Sequence, residues 1–219
     1  YGSIIKSVPI LFSFSDKVCQ SFQRKITPKC LTGTLFPSTS FFFVGLISSG
    51  DPGIYAMASL VFDCLKDFDK TSWNLIEIVV SPGISAVQAC AAKAGAPLGH
   101  DFCVINLSDN LKSWKILKKR IILAIECDFV VVLFNPRSKA RPDTLKKTFD
   151  IFKNLSERER FVLFAKSVYK KNEDLKLVKL SEACDKMADM NTLVIIGSSL
   201  SRVIKKNKTF FYTPRDYLP

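Results

Sequence analysis

From residue 41 onward, short unbroken apolar runs alternate with longer segments of helical periodicity. "LIEIVV" (75–80) is rich in β-branched residues, and it, "DFVVVLF" (128–134), "FVLFAK" (161–166) and "NTLVIIG" (191–197) are short enough to read as strands. Unbroken apolar strands are those covered on both faces. Between them, 54–66, 84–94, 111–126 and 142–154 read as helices. In 111–126, Leu117, Ile121, Ala124 and Ile125 recur at helical spacing. Strand–helix alternation with short joins specifies an α/β fold. Further strands are expected at 41–47, 101–107, 175–179 and 209–213, with a helix at 181–187. "GAPLGH" (95–100) divides the pattern into two α/β domains, 1–100 and 101–219. Residues 1–40, punctuated by Pro9, Pro28 and Pro37, read poorly; a short helix at 16–24 is the one element expected there.

Composition narrows the function classes. Against 32 Lys and Arg stand 20 Asp and Glu, a net charge of +12. That excess favours an anionic partner or reflects a solvated lysine-rich surface. The 18 phenylalanines sit mostly within apolar runs, not interleaved with a basic stripe, which argues against nucleic acid. Seven cysteines without C-x-x-C, and one histidine, read as free thiols in a reduced, cytoplasmic protein with no metal site. No apolar run reaches the ~20 residues of a membrane helix.

The distinctive residues follow the strands, where open α/β sheets place ligands. They are Gly50–Tyr55 ("GDPGIY"), Pro82–Ala86 ("PGISA"), Phe134–Ser138 ("FNPRS") and Gly197–Ser199 ("GSS"). The first looks like a phosphate loop but has neither G-x-G-x-x-G nor a Gly-Lys-Ser/Thr ending, so it is not one. Each loop alone is as readily a plain turn.

Together, "SSGDPGIYAMA" (48–58), "SPGISAVQACAAKAGAPLGHDFCVINLSD" (81–109), "DFVVVLFNPRSKARP" (128–142), "NTLVIIGSS" (191–199) and "YTPRDY" (212–217) resemble the tetrapyrrole (corrin/porphyrin) methylases that use S-adenosylmethionine. "GAPLGHDF…LSD" with "NPRS" is most similar to the branch that methylates C17 of a corrin precursor and contracts its ring in cobalamin biosynthesis. The resemblance implies two α/β domains with the cofactor in the cleft between them. It implies cofactor contacts from Gly50, Asp51, Ile54, Tyr55, Ser85 and Ala86, and from Phe134, Asn135, Ile196, Gly197 and Ser198. The substrate is an anionic tetrapyrrole. Arg137, Arg141 and Arg215 are candidates for its carboxylates through bidentate pairing. His100, beside Asp101, is a candidate for proton transfer, with backbone hydrogen bonding as the bland alternative. No metal, nucleic acid or membrane is implied, and a homodimer is left open.

The chain also departs from the family pattern. The Gly-Pro-rich G-x-G-P-G loop expected near the start has no match in residues 1–40, so the chain is expected to begin part-way into the first domain. Lys166 and Ser167 stand where an Arg-Asn pair is expected, and lysine does not reproduce a guanidinium fork. Ser198 replaces a common Asn. A fold-retaining relative with little activity is therefore one alternative, and a methylase of another tetrapyrrole precursor is a second.

Overall fold

The computed structural model describes residues 8–14, 42–66, 77–108, 112–138 and 140–216. The helix expected at 16–24 lies outside them. The chain forms two compact units, Tyr1–Ser85 and Ala86–Pro219.

In the first unit, strands β1 (Val8–Phe14), β2 (Phe42–Ser48) and β3 (Ile78–Val80) form a sheet in the order β2-β1-β3. β1 is antiparallel to both neighbours, so β2 and β3 share a direction. Helix α1 (Met57–Lys66) connects them, the expected βαβ crossover. Sequence reading missed β1 because Pro9 interrupts its run. Pro9 lies outside the Ile10–Phe12 stretch that pairs with β3, near the strand's start, where a missing N–H is tolerated. Leu46, Ala58 and Val61 are buried in this unit.

The second unit begins with helix α2 (Ala86–Ala94), followed by the two-residue β4 (Gly95–Ala96). Its main sheet contains β5 (Phe102–Asn106), β6 (Val130–Phe134), β7 (Phe161–Lys166), β8 (Asp174–Lys179) and β9 (Thr192–Ile196), in the order β5-β6-β9-β7-β8. β5 and β6 are parallel, whereas β9 runs antiparallel to both β6 and β7. β5, β6 and β7 therefore all end at the same side. Helices α3 (Trp114–Glu126) and α4 (Thr144–Leu155) cover one face, burying Leu117, Ile121, Phe149 and Phe152 against Val131, Leu133, Phe164 and Val194. On the other face, Val87, Cys90 and Ala94 of α2 cluster with Val130, Val132, Leu163, Ala165 and Ile195. Successive residues of β6 thus serve opposite cores, which is why the run is apolar without alternation.

Helix α2 is what moves the unit boundary. The expected division at 100/101 places it before the boundary, whereas it falls in the second compact unit with its apolar face in that unit's core. A small second sheet joins β10 (Arg202–Lys205), β11 (Thr209–Tyr212) and β4. The expected helix 181–187 is instead two 3₁₀ turns, Leu180–Glu182 and Asp185–Met187. Seven residues are too few to nucleate a stable α-helix, and Leu180, Ala183 and Ala188 enter the core from separate turns.

Candidate active site

Two loops of the first unit are joined by a single carboxylate. Asp51 Oδ1 accepts the Gly53 N–H at 2.7 Å, closing the turn. Its Oδ2 accepts the Gly83 N–H at 3.0 Å, tying "GDPG" to "SPG". Both carboxylate oxygens are thus engaged in shaping the loops. Gly50 has φ +80°, and a Cβ there would point to the Ile84 carbonyl and Ser85 Cα at ordinary contact distance. Its glycine is required by backbone conformation, not by crowding. Tyr55 also adopts a left-handed conformation (φ 52°), uncommon for an aromatic residue. Ile54, Tyr55 and Ile84 are exposed around this loop pair, while Ser85 is buried. The described loop residues Gly50–Tyr55 and Ser81–Ser85 include no lysine or arginine.

In the second unit, the end of the sheet where β5, β6 and β7 finish carries a polar network. Asn106, paired with Phe134 in register, ends β5. Its Oδ1 accepts from Asn135 Nδ2 at 3.0 Å and from the Ser108 N–H at 2.9 Å. The Leu107 N–H donates to the Phe134 carbonyl. Arg141 Nη1 donates to the Leu107 carbonyl at 3.3 Å, which holds that side chain against the same loop. Arg137 Nε donates to the Pro142 carbonyl at 3.3 Å and lies 3.5 Å from Asp185. Lys166 ends β7 and pairs with Asp189 at 2.7 Å. That hydrogen bond raises the Lys166 pKa and lowers that of Asp189.

Three residues at this end are left-handed without being glycine: Asn135 (φ 50°), Ser167 (φ 49°) and Tyr169 (φ 62°). Such conformations cost roughly 1–3 kcal/mol each and collect at ligand-binding positions. Asn106 and Tyr169 are not singled out in the sequence, whereas Ser167 stands out there only as a departure from the family's Arg-Asn pair. A polar residue ending a buried strand was the available signal for Asn106. For Ser167 it was the position after β7; the conformation itself is invisible in sequence.

The remaining candidates lie elsewhere. In the register of β9, Ile196 stands opposite Val131 and Val162, whereas Lys166 stands opposite Thr192. Ile196, Gly197 and Ser198 are therefore at the end of the sheet opposite to Asn135, ~13 Å away along four strand residues. This corrects the expectation that Asn135 and Gly197 converge. Ile196 is fully buried and Ser198 nearly so. The need for glycine at 197 also has an internal cause: a Cβ would stand 2.6 Å from Ser201 Cβ and Oγ and 3.0 Å from the Phe211 ring. A cavity of about 590 Å³ at this end is lined by Asp128, Arg160, Ser199 and Leu200 among others, and not by Gly197 or Ser198.

His100 precedes β5 at this same opposite end, and its Nδ1 accepts the Asp101 N–H at 2.7 Å. The backbone hydrogen bond named above as the alternative role of His100 is thus present at Nδ1. Arg215 is exposed beyond β11 and makes none of the hydrogen bonds described for Asn106 and Asn135.

The tetrapyrrole (corrin/porphyrin) methylase family profile matches residues 43–184. The chain belongs to this family. The methylase is 42% identical over 176 residues to a precorrin-3B C(17)-methyltransferase of Sinorhizobium sp, covering 80% of this chain and 69% of that protein. A probable cobalt-factor III C(17)-methyltransferase of Salmonella typhimurium is 40% identical, with the same shares covered. Among solved structures, the methyltransferase CobJ superposes with a TM-score of 0.71 at 44% identity, over 76% of this methylase and 68% of that chain. Among the described residues, no helix is long and apolar enough to cross a membrane, and no cluster of His, Cys, Asp and Glu could hold a metal ion.

Proposed function

We propose that this methylase transfers a methyl group from S-adenosyl-L-methionine to C17 of precorrin-3B or cobalt-factor III, with ring contraction, in cobalamin biosynthesis. The observation that carries the reading is the 42% identity to a C17-methyltransferase across 80% of the chain. The donor fits the loops available. The Gly50–Tyr55 turn offers backbone groups and exposed apolar side chains, with no basic group for a phosphate.

When bound, the cofactor supplies a methyl group already activated on a sulfonium centre. The chain's own task is then chiefly orientation. Gly50, Asp51, Ile54, Tyr55, Ser85 and Ala86 are the proposed contacts from the "GDPG" and "SPG" loops. Asp51 serves them indirectly, by fixing the two loops to each other. Phe134 and Asn135 are the proposed contacts from the second unit, with Asn106 holding Asn135. Ile196, Gly197 and Ser198 would act through packing instead of direct contact, given their burial and their place at the other end of the sheet. Arg141, anchored to Leu107 by one nitrogen, and Arg137 in the same loop are the proposed partners of the substrate carboxylates.

A methyl-transfer assay with precorrin-3B and with its cobalt form tests the proposal. The expected product carries one additional methyl at C17. Methylation at another carbon would favour the alternative of a different tetrapyrrole precursor. Cofactor binding without turnover would favour a fold-retaining relative.

A further inference from the structure

We propose that Lys93 and Glu173 form a positioning clamp that holds the Ser167–Tyr169 turn in its binding conformation for the methyl donor. This rests on the methyl-donor reading above. The turn follows β7 at the same end of the sheet as Asn106 and Asn135, with Lys166 and Phe134 ending their strands there. It contains two left-handed residues, Ser167 and Tyr169, within three positions. A backbone held in this way is sustained only by its surroundings.

The surroundings are explicit. Glu173 Oε2 accepts the Tyr169 N–H at 2.7 Å, and its Oε1 pairs with Lys93 Nζ at 2.8 Å. Lys93 also lies 5.0 Å from the centre of the Tyr169 ring. The Ser167 N–H donates to the Asn191 carbonyl, and the Ser167 carbonyl accepts from Lys170. Of these groups, Lys93 alone comes from α2, whose apolar face is fixed in the core by Val87, Cys90 and Ala94. The clamp therefore ties a strained turn to a rigid helix. The Glu173 contact holds the Lys93 ammonium above its ordinary pKa, and Lys93 holds the Glu173 carboxyl below its own.

Both side chains are partly exposed, and exposed pairs add little to global stability. Positioning and stability can therefore be separated. The test titrates the 219-residue chain calorimetrically with adenosylhomocysteine, comparing Lys93→Met, Glu173→Gln and Lys93→Arg. Methionine and glutamine should weaken binding roughly tenfold if the competent turn falls to about a tenth of the population. The thermal midpoint should hardly move, and arginine should restore affinity. Amide exchange at Tyr169 should quicken in Glu173→Gln without ligand present. Wild-type affinity in Lys93→Met, beside a binding wild-type chain, overturns the clamp. A wild-type chain that does not bind overturns the donor reading and this inference with it, while Tyr169 exchange still reports whether the pair orders the turn.

Discussion

Replacing Gly197 with alanine should destabilise the second unit through packing, whatever the ligand. The added Cβ would stand 2.6 Å from both Ser201 Cβ and Ser201 Oγ, and 3.0 Å from Phe211. Ser201 is not free to rotate away. Its Oγ accepts the Ser198 N–H at 2.9 Å and lies 2.7 Å from Thr213 Oγ1, which donates to the Pro97 carbonyl at 2.6 Å. Ser198, Ser201 and Thr213 are all buried. Overpacking of this kind costs ~1–3 kcal/mol. Rotating Ser201 instead breaks two buried hydrogen bonds, each worth ~0.5–1.5 kcal/mol. Either route gives about 1–3 kcal/mol, or roughly 2–12 °C in melting temperature for a chain of this size. Calorimetric unfolding of Gly197→Ala, Ser201→Gly and the double variant measures it. Ser201→Gly removes both clashing atoms, so in that background Gly197→Ala should cost under ~1 kcal/mol, a coupling between contacting residues. Equal costs in the two backgrounds would refute the packing argument. So would unchanged stability with lost adenosylhomocysteine binding, which would return Gly197 to the role of a ligand contact.

Asp51→Asn leaves one acceptor oxygen for the N–H groups of Gly53 and Gly83, so about 1–2 kcal/mol of loop anchoring should be lost; a calorimetric titration should show weaker adenosylhomocysteine binding, and unchanged affinity would remove these loops from the donor site. Burial, with a smaller contribution from the Glu173 charge, pushes the Cys90 thiol up to about 12, and burial followed by the Cys127 charge pushes Cys103 to about 11. The folded chain then holds these protons more tightly than the unfolded chain, where thiols titrate near 9.0. Their stabilising contribution is complete below that value and is lost as pH rises through 9 toward 12. Urea unfolding across this range should show the decline, and Cys90→Ala should lessen it. Iodoacetamide at neutral pH should label exposed Cys127 well before Cys90, and equal rates would contradict the assignment.

The α/β class, most strand and helix positions and the family itself were legible in the sequence because they depend on local periodicity and on short motifs. β6 and β9 are continuous apolar runs because each is covered on two faces, a property written into successive residues. The "GDPG" and "SPG" loops were recognisable as turns that follow strands, but not that one aspartate staples them, since Gly83 and Asp51 are distant in sequence. Strand direction is likewise absent from a hydrophobic pattern, which reads the same from either end. Only the antiparallel placement of β9 between β6 and β7 put Gly197 and Asn135 at opposite ends of the sheet. The same pairing brought the turn after β7 to the end shared by Asn106 and Asn135. The Lys93–Glu173 contact that holds it arises from packing α2 across the sheet, a consequence of shape that no local spacing encodes.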